Sequence, residues 1–217
     1  MGGLSVAQKE VTTVTCPKCG NHRQAEIYKS VNAEENKDIK EKILDRSAFM
    51  FVCDKCGYTA SLAYPCLYHD AQKGIFIQLA PDYSSADVEM IRQTVGGVDF
   101  SDIGDYKMRL VGTVEELIEK IKIFDSGKDD MVIELCKLFI SKSVTEQKPD
   151  FMISRVYFDS HDQDVFVLFD DKGEKLVIPV NKEFYDESVQ VFGDKIEDEI
   201  GDFKIIDRSW AIEAVRH

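Results

Sequence analysis

Long apolar runs are missing from this chain of 217 residues, and no stretch approaches the roughly 20 needed to span a membrane. The opening MGGLSVAQKE has no basic region followed by an apolar stretch, so no secretory signal is expected and the location read from it is cytoplasmic. A myristoylation motif starting at Gly2 fails because Val6 stands where Ser or Thr belongs. Nucleotide-binding and catalytic signatures are also lacking: no Gly-x-x-x-x-Gly-Lys-Ser/Thr, Gly-x-Gly-x-x-Gly, Gly-x-Ser-x-Gly or His-Glu-x-x-His occurs. Residues 99–110 carry Asp99, Ser101 and Gly104 in calcium-loop order. Ile103 at a ligand position and Leu110 in place of the closing Glu exclude that reading.

Positive charge is in short supply. The chain holds 27 Lys and Arg against 40 Asp and Glu, a net charge of −13. Residues 1–82 are balanced, whereas residues 149–217 carry eight basic and seventeen acidic side chains. Such a surface repels a polyanion, so nucleic acid is disfavoured as a partner of the whole chain, though not of its neutral N-terminal part.

Six cysteines are present, and their distribution is the strongest signal. Four form two Cys-x-x-Cys-Gly steps, Cys16–Cys19 and Cys53–Cys56, each followed by glycine, Gly20 and Gly57. A Cys-x-x-Cys turn puts two sulfurs in one metal's first shell, and two turns close a tetrahedral four-thiolate cage. Glycine after the second cysteine permits positive φ, which turns backbone N–H groups towards the sulfurs. The expected cofactor is one structural Zn²⁺ held by Cys16, Cys19, Cys53 and Cys56. A rubredoxin-like iron site uses the same ligands and stays open. A thioredoxin-like redox pair would need its cysteines at a helix start, whereas both steps here lie between strand-like runs. Four cysteines leave no open coordination position, which points to a structural rather than a catalytic metal. Cys66 and Cys136 lie in apolar runs and read as small core residues. His22 reads as a surface histidine.

The pattern of elements predicts an α+β chain. Strands are expected on both sides of each cysteine step, with a helix over 33–45 inserted between the two hairpins and a further strand at KGIFIQLAP. A short helix is expected over SSADVEMIRQ, and a strand at YKMRLVG. Thr113 and Glu116 form a capping box opening the first of a helical pair over 113–143. The second helix, behind Asp129 or Asp130, is apolar over most of its circumference, so something must cover it. We place a domain boundary in VTEQKPD, dividing the chain into 1–148, a zinc-ribbon-like β domain with the helical pair, and 149–217, a small acidic α+β domain. The latter should be a three-stranded meander (FMISRVYF, DVFVLFD, KLVIPV), a helix over about 182–200 and a closing strand at FKIIDRSW.

TCPKCG, FMFVCDKCG, YPCLYHD and IFIQLAP together resemble the CpXC protein family, a prokaryotic group marked by two such cysteine motifs. The resemblance runs from about residue 11 to the end of the helical pair near 143. Its motif residues fall on Cys16, Pro17, Cys19, Cys53 and Cys56, and Asp54 stands where the pattern has proline. The resemblance implies a metal-binding module and assigns no reaction. The leading functional expectation is therefore a non-enzymatic zinc protein that binds another protein or itself, through the apolar helix at 131–143 and the acidic C-terminal region. One alternative is an enzyme or small-ligand site around His69 and Asp70, which could act as a His–Asp pair. The other is a nucleic-acid-binding ribbon facing phosphates with Lys18, Arg23, Lys29 and Lys55.

Overall fold

The computed structural model describes residues 8–81, 83, 106–193, 196 and 203–216. The expected helix at 84–93, the excluded calcium loop up to residue 105 and most of 194–202 lie outside them. The fold is α+β, as the pattern of elements implied. By its contacts the chain divides into two compact units, residues 1–118 with 200–204, and residues 119–199 with 205–217.

The first unit is built on a mixed five-stranded sheet of order β1-β2-β5-β6-β7. Strands β1 (Gln8–Thr15) and β2 (His22–Asn32) form a hairpin around the first cysteine step. Helix α1 (Lys37–Leu44), a single 3₁₀ turn and the hairpin of β3 (Met50–Val52) and β4 (Thr59–Ser61) follow. These residues form the crossover that lets β5 (Cys66–Asp70) pair parallel to the end of β2, Ser30–Asn32 against Leu67–His69. Because the second cysteine step lies within that crossover, the chain returns it to the first. Helix α1 starts at Lys37 rather than at residue 33, because the Asn32 side chain accepts from the N–H groups of Glu34 and Glu35 and holds a turn there. Its apolar side chains Ile39 and Ile43 are buried and Leu44 is half-buried. Strand β6 (Ile75–Leu79) turns back antiparallel on β5, and β7 (Lys107–Val111) lies parallel to β6.

Helix α2 (Val114–Asp125) opens on the capping box: Glu116 N–H donates to Thr113 Oγ1 at 3.2 Å. The Glu116 carboxylate accepts from Thr113 N at 3.1 Å and from Gly112 N at 2.8 Å. Helix α3 (Asp130–Gln147) is capped by Asp129 and runs four residues further than its apolar pattern suggested. VTEQ is its last turn, not a linker, since Lys148 N–H still bonds to Val144 O.

The second unit explains why the boundary drawn at 148/149 falls inside a compact body. Val132, Ile133, Cys136 and Val144 of α3 share one core with Phe158, Phe166 and Leu168 of the sheet behind them. That sheet is the expected meander of β8 (Ile153–Asp159), β9 (Val165–Asp170) and β10 (Lys175–Pro179). Helix α3 is therefore one layer of this unit, and the units divide inside α2 instead. Residues Asp130–Cys136 are buried all round, so the chain itself covers the first two turns of the apolar helix. Helix α4 (Lys182–Phe192) follows behind an Asn181 cap. The closing segment is not a strand. Asp207 accepts from Trp210 N–H and caps a short helix α5 (Arg208–Ala214), and α3 packs against it. Lys204, which belongs to the first unit, makes an isolated strand-like bridge to Arg109 of β7 in that same unit.

A buried ionic cluster sits in the second unit. Lys120 Nζ lies 2.9 Å from Asp130 Oδ2 and donates to Ile206 O at 2.8 Å, with lysine 4% and aspartate 0% exposed at their side chains. Lys137 Nζ joins Glu119 at 3.0 Å and Glu134 at 2.9 Å. Glu119 also accepts from Phe158 N–H at 2.6 Å, satisfying one backbone donor of the edge strand β8. Among the described residues no helix is long and apolar enough to cross a membrane.

Candidate metal centre

Two short turns build the site, and they repeat each other. In the first, Cys16 N–H donates to Asn21 O at 2.8 Å and Gly20 N–H to Cys16 O at 2.9 Å. In the second, Cys53 N–H donates to Tyr58 O at 2.8 Å and Gly57 N–H to Cys53 O at 2.9 Å. Gly20 and Gly57 hold φ of +69° and +68°, and a Cβ on either would meet nothing within 4 Å. Backbone conformation, not space, is what requires glycine there.

The four sulfurs converge. Cys16 Sγ is 3.7 Å from Cys56 Sγ, and Cys19 Sγ is 3.7 Å from Cys53 Sγ. All four ligand atoms lie within 4.8 Å of one another. A disulfide would need about 2.0 Å, and all six cysteines are free thiols. Metal–sulfur bonds of about 2.3 Å at tetrahedral angles place sulfurs about 3.8 Å apart, so this donor set can hold a metal ion. Among the described residues this is the one group of His, Cys, Asp or Glu so arranged.

Electrostatics favour a cation among the sulfurs. Burial opposes the Cys53 thiolate, but the backbone N–H groups of Cys56 and Lys55 bring its pKa down to about 6. At Cys56 the Tyr58 N–H favours the thiolate, whereas burial and the other three sulfurs push the pKa up to about 12. Further negative charge is unwelcome in so tight a group until a dication neutralises it. Cys16 and Cys53 are buried, and with Phe51 they form the whole buried core of this region, flanked by Val14, Tyr58 and Leu62. Neither step opens a helix, as a thioredoxin-like pair would.

Other singled-out residues fall elsewhere. His22 Nδ1 lies 3.0 Å from Thr15 Oγ1, exposed and outside the ligand set. Cys66 and Cys136 are buried, and burial pushes the Cys66 thiol up to about 12, which makes it a packing residue. His69 and Asp70 are neighbours on β5, so their side chains point to opposite faces of the sheet. Asp70 is buried and accepts from Lys73 Nζ at 3.1 Å, while the His69 ring stacks on Phe76 at 4.3 Å. They do not form a His–Asp pair.

Both ring nitrogens of His69 are buried, and among the described residues neither has a hydrogen-bond partner. Leaving a buried polar atom unpaired costs about 1–3 kcal/mol. His69→Phe is therefore expected to raise stability by about 1 kcal/mol in urea unfolding. Burial holds the His69 pKa below 6.5, despite Asp70 and Glu34. The folded form then binds a proton less readily than the unfolded chain, so wild-type stability falls as pH drops from 6.5 towards the lowered value. The advantage of His69→Phe should widen over that window.

Of the four cations proposed to face phosphates, Arg23 donates to Val52 O and Lys29 pairs with Glu10. Sequence reasoning missed Asn21, whose side-chain amide donates to Asp54 Oδ1 at 2.7 Å and reaches Cys53 Sγ at 3.9 Å. The signal was there in Asp54, the residue that departs from the cysteine motif.

No curated protein and no solved structure matches the chain. A family model described as CpXC protein matches residues 14–137, more than half of the chain and all four clustered cysteines, and the protein belongs to the CpXC family.

Proposed function

We propose that this protein holds one structural Zn²⁺ through Cys16, Cys19, Cys53 and Cys56, and that the stapled ribbon docks another protein in the cytoplasm. The observation that carries the metal reading is the convergence of four free thiols, with the cross-step pairs at 3.7 Å. Cysteine sulfurs suit zinc, and their filling of all four positions suits a structural ion. The docking reading is supported by the surface beside the staple. Phe51 points inward on β3, and its neighbours Met50 and Val52 are 44% and 43% exposed. They line a cleft of about 350 Å³ with Arg23, Glu26, Tyr28 and Leu62.

Metal analysis of the purified chain tests the first half: one zinc per chain is expected, and a Cys16→Ser variant should hold none. One iron per chain, with the colour of ferric thiolate, would instead establish the rubredoxin-like alternative. The second half is tested with Met50→Lys/Val52→Lys, which should retain its zinc and lose the partners that co-purify with the wild type. Unchanged co-purification would overturn docking at this cleft.

A further inference from the structure

The two cysteine steps are alike in backbone and differ in one side chain that crosses between them. Asn21 follows Gly20, and its backbone O accepts from Cys16 N–H just as Tyr58 O accepts from Cys53 N–H. Tyr58 belongs to the apolar cluster on the sulfurs. Asn21 instead sends its amide from the first step to the second, with Nδ2 2.7 Å from Asp54 Oδ1 and 3.9 Å from Cys53 Sγ. Asp54 is the residue between the second pair of cysteines where the motif of the first step has Pro17. A proline there would offer no side-chain acceptor, whereas the aspartate fixes the amide against the sulfur.

We propose that Asn21 is a positioning residue for the Cys53 sulfur, anchored across the site by Asp54. The inference rests on the four-cysteine metal reading. Four thiolates around a dication leave an excess of negative charge on sulfur. An N–H directed at one of them withdraws part of that charge and fixes the direction of its lone pairs. The same amide ties the β1–β2 turn to the β3–β4 turn, which favours the spacing of both sulfur pairs in the folded, metal-bound site. Asn21 thus sets how tightly and how rigidly the metal is held, without being a ligand.

Zinc transfer from the full-length protein to a chromogenic chelator, and the absorption spectrum of its cobalt form, test this together. Asn21→Ala should release zinc about ten-fold faster or more, the usual effect of losing a residue behind a ligand. It should also shift the thiolate-to-cobalt charge-transfer band. Asp54→Ala, on an exposed residue, should move both readouts in the same direction with the backbone turns intact. Release from Asn21→Ala at the wild-type rate overturns the proposal. So does faster release with an unchanged cobalt band, because loosened turns alone would do that. A wild type that binds neither zinc nor cobalt overturns the metal reading itself, and the inference with it.

Discussion

Removing the metal, by chelation or by Cys53→Ser, should unfold the two cysteine hairpins while the rest of the first unit keeps its sheet. The balance of energies behind this expectation is uneven. Near the sulfurs the buried core consists of Cys16, Cys53 and Phe51. Burying a side chain such as Phe51 contributes about 2–3 kcal/mol. Ordering each residue of the two turns costs about 1–2 kcal/mol in backbone entropy alone. A four-ligand zinc site supplies about 10–16 kcal/mol in small domains, so an ion bound here would outweigh the local apolar core. Strands β5–β7 are in a different position, because Tyr68, Ile75, Phe76, Ile77 and Leu110 are all at most 2% exposed. Amide exchange should therefore accelerate by orders of magnitude over residues 14–23 and 51–62 on metal removal, and stay slow over β5–β7. Equal protection of the hairpins with and without metal would show that the ion is not structural.

The second large effect belongs to the ionic cluster. Lys120→Met should destabilise the protein by about 3–5 kcal/mol in urea unfolding, because it strands buried carboxylates without their cation. Lys120 Nζ stands 2.9 Å from Asp130 and 3.7 Å from Glu134, and none of the three side chains is more than 5% exposed. Against a typical domain stability of about 5–15 kcal/mol this is a large share. Replacing both partners, as in Lys120→Met/Asp130→Leu, removes the charge that would be left alone. The double variant should be more stable than Lys120→Met by itself. A single variant costing under about 1 kcal/mol would mean that the cluster is neutral or hydrated.

Legibility in the sequence followed the range of the interaction. The two cysteine turns, the Thr113–Glu116 box and the meander in the second unit are local events, each decided within a few residues. Their signals were accordingly clear. Failures occurred where one local signal was read and another decided the outcome. Helix α3 ran through VTEQ, and Asp207 turned FKIIDRSW from a strand into a helix start. His69 and Asp70 looked like a pair because they are adjacent, but adjacency on a strand separates side chains to opposite faces.

The order of residues was enough to pick out the four metal-ligand candidates, because the backbone of each Cys-x-x-Cys-Gly turn already aims its two sulfurs the same way. It was also enough for the α+β class and the family. That the two turns meet came from the fold, since it depends on the parallel pairing of β2 with β5 across a 33-residue crossover, residues 33–65. The same folding brought Asn21 to Asp54, a contact between residues 33 positions apart that no local rule specifies. Likewise, packing Phe158, Phe166 and Leu168 against α3 assigned that helix to the second unit. An apolar face records that it must be covered, and only long-range packing chooses what covers it.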